Sequence, residues 1–161
     1  NQEVRISLMG SIAEFLTKAS IVERKDNIKL ALYEQDFEKL ELSLKSIYSS
    51  IAYDNFDGIK LYKYEGYYVS VFYAYLKALG IELINQDHTN KGRIDITLKL
   101  NHAIYIIEFK VDGNNALQQI KDKKYYEKYL DDKLPIYLVG IEFSKEDRNI
   151  CKLEWERMSS L

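Results

Sequence analysis

Asp95, Glu108 and Lys110 are the residue types that metal-assisted hydrolysis needs: two carboxylates to share a hard cation and an amine to meet developing negative charge. The run Ala103 to Lys110, Ala-Ile-Tyr-Ile-Ile-Glu-Phe-Lys, is β-branched and aromatic and has the length of a strand. Alternation puts Ile104, Ile106, Glu108 and Lys110 on one face and Tyr105, Ile107 and Phe109 on the other. The run before it, Arg93 to Leu100, alternates as well, with Ile94, Ile96, Leu98 and Leu100 opposed to Arg93, Asp95 and Thr97. Asn101 and His102 between them read as a two-residue hairpin turn. That turn pairs Leu100 with Ala103 and Leu98 with Tyr105, and it brings Asp95 opposite Glu108. Like charges facing each other across a sheet are destabilising, so the register calls for a cation or a shifted proton. Mg²⁺ meets the need with one or two carboxylates, leaving water and phosphate to complete its octahedron. Lys110 would then steady charge on phosphorus or orient the attacking water. The chemistry expected of this face is phosphodiester hydrolysis.

The elements that must hold these groups are legible in outline. Residues up to about Ile51 are helical in pattern, with apolar stripes over Ile6 to Leu16 and over Gln35 to Ile51. Asp54, Asn55, Asp57 and Gly58 form a turn-rich break, which divides the chain into a helical extension or linker region, 1–55, and a second domain, 56–161. A long helix is expected from Leu61 to Leu79, closed by Gly80 at the C′ position. A strand at Ile81 to Asn85, the hairpin from Arg93 to Lys110, a helix from about Asn115 to Leu130, a strand at Ile136 to Ile141 and a last strand near Ile150 to Trp155 follow. Strands framed by helices give an α/β or mixed α+β fold.

Two further side chains fall toward the same chemistry. Glu65 lies in the apolar stripe of Leu61, Tyr68, Phe72, Tyr75 and Leu79, so a carboxylate is aimed inward and needs a metal, a water shell or a basic partner. Gln119 lies on the side of the anchors Ala116, Ile120 and Leu130, where an amide can bond a nucleophilic water or a phosphate. Arg93, on the Asp95 face by alternation, is a candidate phosphate ligand. Lys121, Lys123, Lys124 and Lys128 form a candidate basic patch for nucleic acid, with Tyr125 beside them. His88 and His102 are too far apart for a zinc motif and read as loop or surface residues. Most of the fourteen tyrosines read as packing residues, since those between Tyr62 and Tyr75 recur at helical spacing.

Composition limits the alternatives. A chain of 161 residues can bury a substantial core. A net charge of −2 offers no global attraction for nucleic acid, so binding would need a local patch. The single cysteine, Cys151, excludes an internal disulfide framework and a cysteine-based zinc cluster, and a reducing cytoplasm fits. No apolar run approaches the roughly 18 residues of a membrane span and no signal-peptide pattern opens the chain. The start at Asn1 suggests a domain excised from a longer protein.

Gly92-Arg93-Ile94-Asp95, the apolar strand into Glu108-Phe109-Lys110, and Ala116-Leu117-Gln118-Gln119-Ile120 with tyrosines behind it resemble the PD-(D/E)XK nuclease superfamily. More narrowly, the chain resembles the bacterial group in which such a domain follows an AAA-ATPase-like module. Asn1-Gln2-Glu3-Val4-Arg5 is similar to the junction of those modules, and Tyr64-Glu65-Gly66-Tyr67-Tyr68 to the first helix of the nuclease fold. The resemblance implies a restriction-endonuclease-like central mixed sheet flanked by helices, with the helical extension before it. It also implies a Mg²⁺- or Mn²⁺-dependent nuclease acting on DNA more than RNA, with Glu65 helping to hold the metal or its waters and Gln119 preferred to Gln118. An N-terminal ATPase-like domain and a homodimer are expected partners, since many nucleases of this fold cut duplexes as dimers. Ile94 stands where the superfamily name has proline. The alternative is a catalytically inactive nuclease-fold module that binds nucleic acid or protein within a larger ATPase-containing protein.

Overall fold

The computed structural model describes residues 21–51 and 60–158. The expected stripe over Ile6 to Leu16, the Asn1 to Arg5 junction and the Asp54 to Gly58 break lie outside the described residues. Two helices come first, α1 (Ile21–Glu34) and α2 (Phe37–Ser49). Gln35, with φ of +55°, turns the chain between them, and Asp36 caps α2 by accepting a hydrogen bond from the Lys39 amide at 3.0 Å.

The next helix is shorter than its apolar pattern predicts. A 3₁₀ turn at Leu61–Lys63 ends at Tyr64 in an extended conformation, and α3 runs only from Glu65 to Ala78. Glu65 therefore opens a helix rather than sitting inside one, where the positive end of the helix dipole favours its charge. Gly80, at φ +79°, closes α3 in the left-handed conformation expected of a C′ glycine.

Five strands follow: β1 (Leu83–Thr89), β2 (Gly92–Lys99), β3 (Ile104–Val111), β4 (Ile136–Ser144) and β5 (Asn149–Arg157). Among the described residues they form one mixed sheet in the order β1-β2-β3-β4-β5, antiparallel except for the parallel pair β3–β4. The parallel pair requires a crossover, supplied by α4 (Ala116–Lys123) and a 3₁₀ segment, Tyr125–Asp132. The expected single helix from Asn115 to Leu130 is split at Lys124, whose φ of +51° cannot continue a right-handed helix.

Helices cover both faces of the sheet. Tyr105, Ile107 and Phe109 of β3 share one core with Leu32 of α1, Phe37, Leu44 and Tyr48 of α2, and Tyr68 and Phe72 of α3. Ile104 and Ile106 belong to a smaller core with Ile120, Tyr125 and Tyr129. The alternation read from β3 is thus realised, and both of its faces are buried. Polar contacts tie down the α1–α2 pair: the Leu32 carbonyl, near the end of α1, accepts hydrogen bonds from the Tyr105 hydroxyl and from His102, whose ring also packs on Tyr33, while in α2 the Tyr48 hydroxyl donates to the Tyr68 carbonyl and the Lys45 carbonyl accepts from Asn149. No helix among the described residues is long and apolar enough to cross a membrane.

Candidate active site

The β2–β3 hairpin has the register its turn predicts. The Leu100 amide bonds the Ala103 carbonyl at 2.9 Å, and Leu98 pairs with Tyr105, Thr97 with Ile106 and Ile96 with Ile107. Asp95 and Glu108 are the next residues along the ladder, and there main-chain pairing gives way to side chains. Asp95 Oδ2 accepts the Phe109 amide at 2.9 Å, while Glu108 Oε1 accepts the Asp95 amide at 3.2 Å. Each carboxylate is thereby fixed by the backbone of the other's neighbourhood.

The Asp95 amide is available because of the strand on its other side. Gln86, in the left-handed region at φ +52°, interrupts β1 between the pairs Asn85–Ile96 and Asp87–Ile94, leaving position 95 unpaired. The register is the same on both sides of this gap, yet the side chains change faces across it. Ile94 joins the smaller core beside Ile104 and Ile106, not the larger one that holds Ile96 and Leu98. Arg93 consequently leaves on the opposite surface from the one alternation assigned to it, exposed and donating to Gln86 Oε1 at 3.4 Å.

Glu108 is 2% exposed. Burial, reinforced by the Asp95 charge and opposed by Lys110, pushes its carboxyl up to about 9. Gln119 Nε2 of α4 approaches Glu108 Oε2 at 3.4 Å. Glu65 belongs to α3, on the far face of the sheet, and still reaches this group: burial raises its carboxyl, Asp95 adds to the rise and Lys110 opposes it. Asp95, Glu108, Lys110, Gln119 and Glu65 are therefore brought together. Among the described residues no three His, Cys, Asp or Glu side chains are grouped so that they could together hold a metal ion. The donor set that is formed, two locked carboxylates with one buried against its own ionisation, suits a hard cation that shares its coordination with water and phosphate.

Helix α4 can approach this close because of Gly140. Glu108 pairs with Gly140 across β3–β4, and a Cβ at Gly140 would overlap the Leu117 amide and stand 3.0 Å from its Cα. Gly140→Ala must push α4 outward, taking Gln119 off Glu108. A loss of about 1–3 kcal/mol in stability is expected. Urea titration checks it, and a variant as stable as the parent would show that α4 does not bear on the sheet there.

The lysines divide. Lys121 is ion-paired with Glu156 at 2.9 Å on the surface. Lys128, itself exposed, binds the buried Asp87 and the His88 carbonyl through its ammonium, the latter at 2.9 Å. Asp87, 3% exposed, was not singled out from the sequence. It also accepts from the Tyr129 hydroxyl and from Thr97 Oγ1 at 2.9 Å. Burial opposes its charge, but the hydrogen bonds of Lys128, Tyr129 and Thr97 outweigh burial and hold its carboxyl below the usual range. Asp87→Ala would leave these donors unmet and should cost about 3 kcal/mol. Comparing its melting curve with those of Lys128→Met and the double variant tests this, because a true pair makes the double loss smaller than the sum. The sequence signal for Asp87 was weak, since one aspartate in a strand-like stretch has no partner within reach until Lys128 and Tyr129 fold onto it.

Tyr125 lies between the two groups of charges. Burial raises its phenol; a hydrogen bond with Gln119 opposes the rise and the charges of Glu108 and Asp95 add to it. Residues 63–153 match the family model of the PD-(D/E)XK nuclease superfamily. The chain belongs to the PD-(D/E)XK nuclease superfamily. The five-stranded mixed sheet with helices on both faces agrees with the restriction-endonuclease-like fold of that superfamily. A curated relative, an uncharacterized protein encoded in the vnfD 5′ region of Azotobacter chroococcum mcd 1, is 37% identical over 156 residues, 93% of this chain. The chain spans 30% of that relative's length. No solved structure matches. PD-(D/E)XK membership suggests a nuclease-type function, nucleic acid as substrate and the divalent metals typical of these enzymes.

Proposed function

We propose that the chain is a metal-dependent nuclease that hydrolyses phosphodiester bonds, in DNA before RNA, with Mg²⁺ or Mn²⁺ held by Asp95 and Glu108 and by Glu65 through its waters. The observation that carries this is the reciprocal bonding of Asp95 and Glu108, each carboxylate anchored by a backbone amide beside the other. Two acids so held have little freedom to separate, and a cation between them would offset the burial and the Asp95 charge that oppose ionisation of Glu108. Bound there, the ion supplies a nucleophilic water at neutral pH and offsets charge on the phosphoryl oxygens.

The chain's own groups do the rest. Lys110 shares the face of Glu108 on a central strand, where its ammonium meets the charge that grows on phosphorus. Gln119, anchored to Glu108, has its amide oxygen to orient the attacking water. For the nucleic acid, Lys124 and Tyr125 are the favoured ligands of the candidate set, because they line an open cleft beside the acids. Arg93 and Lys121 face other partners and would contribute only after leaving Gln86 and Glu156. An ATPase-like module in the full-length protein, a homodimer and a cytoplasmic setting belong to the same proposal. The greater length of the Azotobacter relative supports a larger protein.

The deciding experiment incubates the chain with single- and double-stranded DNA and RNA, with Mg²⁺, Mn²⁺ or a chelator. Cleavage that needs the ion and is lost in Asp95→Asn is expected. If no substrate is cut under any ion, the chain is a nuclease-fold binding module and the enzymatic proposal fails.

A further inference from the structure

We infer that the cleft between the β1–β2 turn and the 3₁₀ segment is a subsite for one unpaired nucleotide of the substrate strand, its phosphate bound by Lys124. This inference rests on the nuclease proposal and narrows its substrate class to nucleic acid with a single-stranded tract at the cut. The cleft, about 360 Å³, is lined by His88, Thr89, Asn90, Lys124, Tyr125 and Lys128. That volume is at the small end of ligand sites, enough for a nucleotide and too little for a duplex.

Its walls are fixed. Asp87 binds Lys128, Tyr129 and Thr97 at once, so the hairpin wall and the 3₁₀ wall are held through one buried carboxylate. Across the turn, Thr89 Oγ1 donates to the Gly92 carbonyl at 3.0 Å and accepts from the Lys91 amide at 3.1 Å, which rigidifies the tip. Gly92, at φ +142°, lies under the Tyr125 hydroxyl, and a Cβ there would stand 3.1 Å from it. Tyr125 in turn feels the charges of Glu108 and Asp95, which places the cleft next to the proposed chemistry.

The charge count of the lining is what limits the ligand. Lys128 is spent on Asp87 and the His88 carbonyl. Lys124 has no ion pair among the described residues, and its left-handed backbone, φ +51° and ψ +41°, breaks the crossover helix at the cleft. A non-glycine residue in that conformation costs energy that the surroundings must sustain, and such positions concentrate at functional sites. One available cation suits one phosphate. The exposed His88 and Asn90 side chains can meet the face or the Watson–Crick edge of a base, which a paired nucleotide would not present.

The test measures binding of fluorescent single-stranded DNA and RNA oligonucleotides and of a blunt DNA duplex to the 161-residue chain, in chelator so that nothing is cut, over a series of salt concentrations. Single strands should bind more tightly than the duplex. Lys124→Gly, which suits the positive φ, should weaken single-strand binding roughly tenfold. It should also lower the salt slope by about 0.7, the value for one phosphate contact on a single strand. Lys124→Arg should restore both, and His88→Ala with Asn90→Ala should weaken binding without changing the slope. Unchanged affinity and slope in Lys124→Gly, or a duplex bound as tightly and as dependent on Lys124, overturns the subsite. Thermal melting of each variant separates these results from misfolding. Cleavage is scored separately with Mg²⁺: binding that depends on Lys124 without cleavage defeats the nuclease proposal alone, and cleavage indifferent to Lys124 defeats the subsite alone.

Discussion

Asp95→Asn is expected to lower metal-dependent cleavage by at least about 10³-fold while leaving the fold in place. The asparagine amide oxygen can still accept the Phe109 amide that Asp95 Oδ2 accepts now, so the hairpin keeps its geometry. What disappears is the charge of a carboxylate proposed to hold the cation. Lys110→Ala should fall by a similar factor for another reason, the loss of positive charge facing the phosphoryl oxygens. Initial rates on the best substrate, with circular dichroism of both variants, check this. Activity within tenfold of the parent in Asp95→Asn would mean that the carboxylate is not a ligand.

Glu108→Gln should do the opposite to stability. The unfolded chain ionises Glu108 near 4.5, while the folded chain holds its proton up to about 9. Between those values the native state binds more protons than the unfolded state, so this group's contribution to stability falls as pH rises. Below about 4.5 the carboxyl is protonated in both states and the penalty vanishes; above about 9 it is complete. Glutamine removes the penalty and retains an oxygen for the Asp95 amide. The metal-free variant should therefore be more stable than the parent at pH 8, by about 1–3 kcal/mol or several degrees in Tm, and the two should converge toward pH 4.5. Millimolar Mg²⁺ or Mn²⁺ should raise the Tm of the parent and not of the variant. Melting curves between pH 4.5 and 9, with and without the ion, test both halves. A variant less stable than the parent at every pH would show that Glu108 is a satisfied core carboxyl and not a strained one.

These two expectations depend on features that differ in how they are encoded. The facing of Asp95 and Glu108 is written locally. A two-residue turn at Asn101-His102 and strict alternation on each side leave one register, and Leu98–Tyr105 and Ile96–Ile107 are paired as that register requires. The same holds for the buried central strand, because a run of Ile, Tyr and Phe on both faces can be stable only with cover on both. Alternation does not carry through to Arg93, because the side-chain pattern reverses between Ile96 and Ile94, opposite Gln86, whose positive φ its residue type does not announce. The helix ends were misjudged at Tyr64 and Lys124 for a related reason: the apolar stripe runs through both positions, and only packing decides where the backbone breaks.

The sequence by itself determined the strand face: which acids oppose each other, and that Lys110 stands with Glu108. Periodicity and turn length are short-range, and neighbouring residues suffice to express them. Only the tertiary structure decided what surrounds that face. The approach of α4 through Gly140, the arrival of Glu65 from the opposite layer, the diversion of Lys128 to Asp87 and the release of Lys124 into a cleft all join residues far apart in the chain. Such contacts form only once the sheet and its two cores exist, because it is the burial of apolar side chains over the whole domain that compensates the ordering and desolvation of the polar groups between them.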